Sequence, residues 1–303
     1  DFCLSRGLGD VYKRQDITYS VSPAYHTYKI AGVNAEYLRY CLECRNQDMF
    51  SRFVKRGSRQ GKTIDLKRWM TYEIPVYDEN RQQEIVDRLN RISELIEKRQ
   101  EQLVQLSELV KSRFIELFGV YPSNPKGWET ATIRDIVADV RYGSSRPAVD
   151  GGKYPYLRMN NITYGGELDL TDTKRIDIPD NELDKCTVRR GDVLFNRTNS
   201  KELVGKTCVY NRDEMMVLAG FVIRVRVTER VLPEFLSAFL NTDFSKQMLL
   251  GMCKAAIGQA NINAQEMQNI GIYLPPTELQ RQFVQFKEQT DKSKLYGKME
   301  VAA

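Results

Sequence analysis

The fold is organised around residues 78–119, which have the sequence DENRQQEIVDRLNRISELIEKRQEQLVQLSELVKSRFIELFG. Apolar side chains recur there at alternating steps of four and three residues, which is the heptad pattern of a coiled coil. Asp78 can cap the start, and Gly119 followed by Pro122 can end the run. The pattern predicts one helix over residues 80–118, about 58 Å long at about 1.5 Å per residue. The predicted seam comprises Ile85, Leu89, Ile92, Ile96, Leu103, Leu106, Val110 and Leu117, with Arg99 and Arg113 interrupting it.

The charges of this helix are balanced. Between Glu79 and Glu116 it carries seven Lys or Arg and eight Asp or Glu, so its outer faces suit solvent better than they suit a polyanion. We interpret the segment as a coiled-coil strut and expect the function to lie in the segments that it separates.

Length and composition indicate about two globular units, because the chain has 303 residues of which 42% are hydrophobic. It contains no run of eighteen apolar residues and no basic-then-apolar leader, so we expect neither a membrane span nor a secretory signal. The six cysteines have no framework spacing, and Cys41 and Cys44 form one C-x-x-C in a chain with a single histidine, His26. These features predict a cytoplasmic protein with free thiols and no zinc site.

The first fifteen residues are expected to be non-native. Residues 5–15, SRGLGDVYKRQ, resemble the conceptual translation of a transposase sequencing adapter joined to a gene fragment. We therefore exclude residues 1–15 from the predicted fold. On this interpretation the natural protein begins upstream of Asp16, and its N-terminal part is missing here.

The chain repeats itself across the long helix. A shift of 198 positions places Tyr37 on Phe235 and residues 63–65 (TID) on residues 261–263 (NIN). The same shift places residues 82–86 (QQEIV) on residues 280–284 (QRQFV). A duplicated unit retains such an order of apolar and turn positions, although chance alignment of two apolar patterns is the alternative. The repeat predicts half a unit, a long helix, a whole unit and a second helix from Thr277 to about Lys298.

The whole unit is predicted to mix short strands with helices. Residues 128–140 are expected to form a strand followed by a helix, and further strands are predicted at 154–158, 185–188, 191–195, 206–210 and 221–227. Helices are predicted at 233–240, 242–253 and 264–268. The last strand of the half unit is predicted at residues 24–30.

Catalytic and cofactor motifs are not visible. The sequence contains no G-x-x-x-x-G-K-[ST], no G-x-G-x-x-G opening a helix, no H-E-x-x-H and no G-x-S-x-G. Asp192 could be a metal ligand, but a turn aspartate entering a buried strand is the favoured interpretation. We predict no catalytic, cofactor-binding or metal-binding residue.

Polar and basic loop residues are the candidate binding sites, because such side chains pair with phosphates and base edges. Residues 52–68 form a local basic cluster, for which a solvated helix end is the alternative explanation. Each loop residue taken alone is also explained as an ordinary surface residue. The predicted DNA-binding residues are Lys55, Arg56, Arg59, Lys62, Arg141, Tyr142, Ser144, Ser145, Arg146, Arg158, Asn160, Asn161, Arg197, Asn199, Ser200, Lys201, Lys254, Gln259, Asn261 and Asn263.

Seven sequence motifs occur in a specific order. They are SVSPAY at 20–25, IP at 74–75 with QQEIV at 82–86, KSRFIELFG at 111–119, YLRMNNI at 156–162, GDVLF at 191–195, GQANI at 258–262, and LPP at 274–276 with QFV at 282–284. Each motif alone is weak, but their order, spacing and duplication about a long helix are specific. On these motifs, the chain from Tyr19 to about Lys294 resembles the specificity subunit of type I restriction-modification enzymes.

The resemblance implies an α+β fold, with mixed α/β target recognition domains separated by long antiparallel coiled-coil helices. The implied segments are the C-terminal half of a first recognition domain at 16–78, a spacer helix at 79–118, a second recognition domain at 119–272, and a second helix with its tail at 273–303. Because the first domain is only a half, its recognition of DNA is in doubt.

The implied function is recognition of one half of a bipartite double-stranded DNA target and docking of modification (methyltransferase) subunits. A restriction (translocase and nuclease) subunit would join through the complex. S-adenosylmethionine, ATP and Mg²⁺ are expected in those partners and not in this chain. Two other readings remain open: a coiled-coil scaffold that binds protein only, and an enzyme. The enzyme is disfavoured because no convergent carboxylates or glycine-rich turns occur.

Overall fold

A computed structural model describes residues 2–4, 26–56, 62–200, 203–256 and 259–302. It contains two compact units, residues 1–100 and residues 101–303. The elements of the first unit are, in chain order, β1 (Phe2–Leu4), β2 (His26–Tyr28), α1 (Ala35–Cys44), α2 (Asn46–Phe53), β3 (Val54–Arg56), β4 (Lys62–Ile64), α3 (Leu66–Trp69) and the first part of α4 (Glu79–Phe118). The long predicted helix is therefore observed as the single helix α4.

The first unit is held by short pairings and a small apolar core. Strand β1 pairs antiparallel with β2 although it lies inside residues 1–15, which were expected to stay out of the fold. Strand pairing uses main-chain groups that every sequence carries, so a non-native sequence can also form it. The rest of residues 1–15 lies outside the described residues. Strands β3 and β4 form an antiparallel hairpin. The buried core residues are Tyr37, Cys41, Leu42, Met49, Phe53 and Val86.

The second unit contains the larger set of strands. Its elements after α4 are β5 (Glu129–Thr132), β6 (Val137–Tyr142), β7 (Tyr154–Leu157), β8 (Lys174–Ile176), α5 (Asp180–Cys186), β9 (Thr187–Val188), β10 (Val193–Asn196), β11 (Thr198–Asn199), β12 (Thr207–Val209), β13 (Met216–Leu218), β14 (Val222–Val227), α6 (Pro233–Leu240), α7 (Asp243–Met252), β15 (Lys254–Ala256), β16 (Gln259–Asn261), α8 (Ala264–Gln268), β17 (Gly271–Leu274) and α9 (Thr277–Ala302). The mixture of helices and mostly antiparallel sheets confirms the α+β class.

A central antiparallel sheet of order β12-β10-β14-β6 organises this unit. Val193 and Phe195 of β10 pack into a core shared with α4, α6 and α9, whereas Leu194 packs into a second core against the sheet β8-β7-β13-β9. Alternate side chains of a strand point to opposite faces. Both faces of β10 are therefore covered, which explains its continuous apolar run.

Three predictions about the elements differ from the structure. The last strand of the half unit was predicted at residues 24–30, but strands β3 and β4 follow it, because main-chain hydrogen bonds pair Val54–Arg56 with Lys62–Ile64. The predicted helix after residue 132 is only a 3-10 turn, Ile133–Ile136, and the chain then enters strand β6. Val140 pairs there with Val225, and β-branched residues pack well on a pleated sheet. The strand predicted at 185–188 is shorter, because Cys186 ends α5.

An aromatic cluster joins the C-terminal part of α4 to α6 and α9. The ring centre of Phe114 lies 5.4 Å from that of Phe235 and 5.3 Å from that of Phe283. Farther along α9, a Cβ at Gly297 would lie 3.4 Å from Leu103. Residues later in α9 contact residues earlier in α4. The two helices are therefore antiparallel here, as predicted.

The buried side of α4 coincides with only part of the predicted seam. Elsewhere the buried residue is the one that follows a predicted seam position in the sequence. Ile92 is 52% exposed and Arg99 is exposed, whereas Val86 and Phe114 are buried. The stripe also contains polar side chains, including Ser107, which donates to the Leu103 carbonyl. A prediction based on the spacing of apolar residues alone misses such polar positions. The assignment of Ile92 to the seam was therefore wrong. Arg99 does not interrupt the buried stripe, because it is exposed.

The predicted duplication is confirmed by the element boundaries. Adding 198 to the first residues of α1 and α4 gives the first residues of α6 and α9. The same shift places Asp65, which caps α3, on Asn263, which caps α8. The hairpin β3–β4 thus corresponds to the hairpin β15–β16. Within the described residues, no helix is both long and apolar enough to cross a membrane.

Candidate nucleic-acid interface

Three loops of the second unit meet at one end of the central sheet. Strands β6 and β10 end there and β14 begins there, because β14 is antiparallel to both. The Arg197 N–H donates to the Phe221 carbonyl at 3.0 Å, and the Gly220 N–H donates to the Ser144 carbonyl at 2.7 Å. These main-chain bonds fix the three loops against one another, so their side chains form one surface.

Arg197 is the central side chain of this surface. Its guanidinium carbon lies 5.0 Å from the centre of the Tyr142 ring, which is a cation–π distance. The Tyr142 hydroxyl accepts a hydrogen bond from the Ala264 N–H at 2.9 Å, and this holds the ring in place. Arg197 Nη1 also donates to the Gly220 carbonyl at 3.5 Å, so two distant parts of the chain orient the planar guanidinium.

A small sheet of order β11-β16-β15 continues the surface from Arg197. Thr198 lies opposite Asn261, and its hydroxyl donates to the Asn261 side-chain oxygen at 3.0 Å. The neighbouring residue Ala260 is buried in the core. Because side chains alternate along a strand, Asn261 points away from that core.

The hairpins carry several of the predicted basic and polar residues. Lys55, Arg56 and Lys62 lie on β3–β4, and Lys254, Gln259 and Asn261 lie on the corresponding hairpin β15–β16. A helix end was the alternative explanation for the basic cluster, and these three of its residues lie on strands instead. The side chains of Lys55, Arg56, Lys62, Asn199, Lys254 and Gln259, and the whole of Arg59 and Lys201, lie outside the described residues.

The predicted residues near Arg146 are engaged within the protein. The Arg146 guanidinium donates two hydrogen bonds to Glu182, at 2.7 and 3.2 Å. This pairing raises the pKa of Arg146 and lowers the pKa of Glu182. Ser144 is buried and its hydroxyl accepts from the Arg146 N–H, while Ser145 is exposed. The buried hydroxyl thus stabilises the loop.

A second predicted group surrounds Asn161. Its side chain accepts from the Arg158 N–H at 2.9 Å and donates to the Asp169 carbonyl at 2.8 Å, and it is buried. The Arg158 guanidinium pairs with Asp172 at 2.9 Å, whereas Asn160 is exposed. The Asn161 amide therefore holds the turn, and it is not available to a ligand in this arrangement.

The remaining predicted residues divide between surface and structural roles. Arg141 is exposed and pairs with Asp139 at 2.8 Å. Asn263 caps α8 by accepting the N–H groups of Gln265 and Glu266. Ser200 is exposed. Arg141 immediately precedes Tyr142 on β6, so its side chain points to the opposite face of the sheet from the Tyr142 ring.

Asp192 is a structural turn residue, as favoured from the sequence. It is buried, accepts from the Arg189 N–H at 2.8 Å and forms an ion pair with Arg226 at 2.7 Å. Among the described residues, no three His, Cys, Asp or Glu side chains converge as metal ligands do.

Three residues of interest were not predicted as sites. Thr198 and the 52% exposed Phe221 lie beside Arg197, and no local sequence pattern distinguishes them. Gln280 is buried at the start of α9. A signal for Gln280 did exist, because the shift of 198 superimposes it on another glutamine, Gln82.

The model of a family described as "Type I restriction modification DNA specificity domain" matches residues 125–296. The chain belongs to this family. The match covers most of the second unit, including the loops around Arg197 and most of α9.

The chain is similar to two specificity subunits. The EcoKI specificity subunit of Escherichia coli strain K12 is 25% identical over 188 residues, which are 61% of this chain and 40% of that subunit. The putative MjaX specificity subunit of Methanocaldococcus jannaschii is 28% identical over 171 residues, which are 55% of this chain and 40% of that subunit. The matched segments thus span two fifths of each relative.

Solved structures share the fold of this family member. The type I restriction-modification S subunit from M. genitalium is 14% identical, with a TM-score of 0.52 over 88% of this chain and 68% of that chain. A structure described as the basis of complex assembly and conformational transition of the type I R-M system is 20% identical, with a TM-score of 0.55 over 88% of this chain and 66% of that chain. These likenesses show a shared fold.

Proposed function

We propose that this chain is the DNA-recognition subunit of a type I restriction-modification complex and that it has no catalytic residues of its own. Residues 119–272 would form one complete target recognition domain, and residues 16–78 the C-terminal half of another. The observation that carries this proposal is membership in a family described by its DNA specificity domain, over residues 125–296.

The surface around Arg197 has the chemistry that base recognition requires. Arginine pairs with two acceptors of guanine, and asparagine pairs with adenine in the major groove. The Tyr142 ring holds one face of the Arg197 guanidinium, so the N–H edge is presented in a fixed plane. The side chains of Asn261 and Thr198 are joined by a hydrogen bond, so they lie on the same side of the small sheet. We assign base recognition to this group.

The hairpin β3–β4 has the chemistry of phosphate binding. Lys55, Arg56 and Lys62 lie within two short paired strands. Clustered basic residues bind the DNA backbone without reading its sequence. We assign positioning of the DNA to this hairpin, and to Lys254 on the corresponding hairpin.

Other predicted residues support the loops. Ser144 and Asn161 are buried, and Arg146 and Arg158 are already paired with carboxylates. We therefore assign these four to the scaffold of the surface and not to DNA contact.

The proposed partners follow from the role of specificity subunit. We propose that α4 and α9 dock modification subunits, and that the restriction subunit joins through that complex. Methylation with S-adenosylmethionine, and ATP-driven translocation and cleavage with Mg²⁺, would take place in those partners. The complex would act on double-stranded DNA in the cytoplasm.

The test is to co-express the chain, with its first recognition domain completed, together with its modification subunits in a host without DNA methylation and to sequence the methylated sites. We expect a bipartite motif. Replacement of residues 120–272 by the equivalent segment of a relative should change one half of that motif and leave the other half intact. Loss of both halves would contradict modular recognition, and absence of any motif with assembled subunits would favour a protein-binding scaffold.

A further inference from the structure

A buried glutamine joins the second helix to the recognition unit. Gln280 lies in the first turn of α9 and is 0% exposed. Its side-chain oxygen accepts from the Leu232 N–H at 2.8 Å, at the N-terminus of α6. Its side-chain nitrogen donates to the carbonyls of Pro275 at 2.8 Å and Arg230 at 3.2 Å. One side chain thus connects the start of α9, the segment before it and the start of α6.

The first unit contains the same arrangement. Gln82 lies in the first turn of α4 and is 4% exposed. Its side-chain oxygen accepts from the Asn34 N–H at 2.8 Å, and its nitrogen donates to the Tyr77 carbonyl at 2.6 Å. Asn34 and Tyr77 lie 198 positions before Leu232 and Pro275. The glutamine joint, defined as Gln82 or Gln280 with these main-chain partners, is therefore built twice.

The chemistry of the joint requires an amide side chain. An amide offers an acceptor and two donors together, and a buried polar group without partners is costly. Glutamate could not donate to the carbonyls, and methionine could form neither bond well. Glutamine is thus the side chain that satisfies all the main-chain groups at this point.

The apolar residues near the two joints in sequence differ, although the joints share two hydrogen bonds. Phe235 and Phe283 lie in the core of the second unit, whereas the corresponding residues of the first unit are Tyr37 and Ile85. Apolar burial is non-directional, whereas a hydrogen bond restricts both distance and angle. The glutamine is therefore the part of each contact that fixes the angle between helix and unit.

We propose that Gln82 and Gln280 are positioning residues that set the angle of each recognition unit on its helix, and thereby the spacer length that the complex accepts. This inference rests on the proposed function. A rotation of about 10° moves a point about 20 Å from the joint by about 3.5 Å, which is close to one base-pair step. A small loosening of the joint thus admits neighbouring spacer lengths.

The test is the substitution Gln280→Met in the chain with its first recognition domain completed, assembled with its modification subunits in a methylation-free host. Sequencing should show unchanged bases in both half-sites. The fraction of methylated sites with a spacer one base pair longer or shorter should rise at least about fivefold. The matched control is Gln268→Met, because Gln268 is a half-buried glutamine that bonds only within α8, to the Ala264 carbonyl at 3.0 Å. The control should keep the original spacer distribution.

The second variant, Gln82→Met, repeats the test at the other joint, and thermal melts accompany both. An unchanged spacer distribution in folded variants would overturn the inference, as would altered half-site bases. Loss of folding in both variants would also overturn it, because the glutamines would then be stability elements. If the unsubstituted chain yields no bipartite motif, the proposed function fails. A motif in the unsubstituted chain with no effect of either substitution would reject the glutamine joint alone.

Discussion

The Arg224 guanidinium donates a hydrogen bond to the carboxylate of Asp139 at 2.7 Å, and the Arg224 side chain is 3% exposed. Arg224 also donates to the Thr187 carbonyl, so it ties β14 to β6 and to the residues that follow α5. Arg141 donates to the same carboxylate from the surface. Asp139 is thus the counter-ion of a buried cation.

Asp139→Ala should lower the free energy of unfolding by about 3 kcal/mol at pH 7, because it leaves a buried charge without its partner. Burial raises the pKa of Asp139, but hydrogen bonds from Arg224 and Arg141 outweigh it and hold the pKa below 3.8. The stabilisation is therefore present above about pH 4 and is lost as the pH falls through the folded-state pKa. Urea unfolding between pH 7 and pH 3 measures this. A constant difference over the series would contradict it, and Asp213→Ala at an exposed ion pair should have no resolvable effect.

Lys246→Met should stabilise the protein. Burial, then the charges of Lys206 and Lys111, lower the pKa of Lys246 from 10.5 to about 8. The charged form therefore costs stability below about pH 8, and this cost disappears as the pH approaches 10.5. We expect the free energy of unfolding to rise by about 2 kcal/mol at pH 7. This is less than the whole pKa shift implies at about 1.36 kcal/mol per pKa unit, because the Tyr164 ring faces the ammonium group and stabilises its charge. Thermal melts at pH 7 and pH 10 check this, and the exposed Lys185→Met serves as control.

Arg197→Lys should reduce discrimination at one base pair of the target. Lysine keeps the charge but loses the planar group that stacks on Tyr142. We expect a loss of about 1–3 kcal/mol at that position and little change in binding to unrelated DNA. Gel shifts at two salt concentrations, with duplexes carrying the target recovered from the methylated genome, measure this. The control is Arg212→Lys at an exposed position, and equal weakening on every sequence would assign Arg197 to phosphate contact instead.

Neutralising Lys55, Arg56, Arg59 and Lys62 together should weaken binding to all DNA sequences alike. Each lost phosphate contact lowers the slope of log K against log salt by about 0.9, so the slope should flatten by up to about 3.6. Salt titrations of the assembled complex measure the slope. The charge-matched control replaces the exposed residues Lys126, Lys174, Lys185 and Arg212. Altered base preference with an unchanged slope would show that the cluster recognises bases.

Deletion of residues 103–109 should change the spacer between half-sites. It removes one heptad from the continuous helix α4, which keeps the buried stripe in phase and shortens the helix by about 10 Å, close to three base pairs. Sequencing of methylated sites measures the spacer. The control is Val104→Gln, which changes an exposed residue of that heptad without altering the length. A deletion variant that modifies the original spacer at the original rate would exclude a ruler function for α4.

The sequence alone determined the long helix and the duplication. Periodic apolar residues and end signals act over a few residues, so they predict the helix at 80–118, within one residue of the observed Glu79–Phe118. The same local signals give α6 and α8 their observed boundaries. The motifs that carry the family resemblance depend on order and spacing, which are also properties of the linear chain.

Only the tertiary structure decided which polar residues are available to a ligand. Arg197 and Asn161 both lie in polar loops of the sequence, yet one stacks on Tyr142 and the other is buried under a turn. The strand identity of Val137–Tyr142 likewise depends on pairing with β14. These outcomes follow from contacts between residues far apart in the chain.

The glutamine joint shows the same division within one residue. The repeat of 198 positions marks Gln82 and Gln280 in the sequence, but nothing local indicates that Gln280 accepts the N–H of Leu232, 48 positions earlier. A hydrogen bond over that separation exists only after the helices have packed, because packing brings the two groups to bonding distance and removes the water that would compete for them. The sequence therefore specified the duplicated elements, and the packing of those elements specified the joints that connect them.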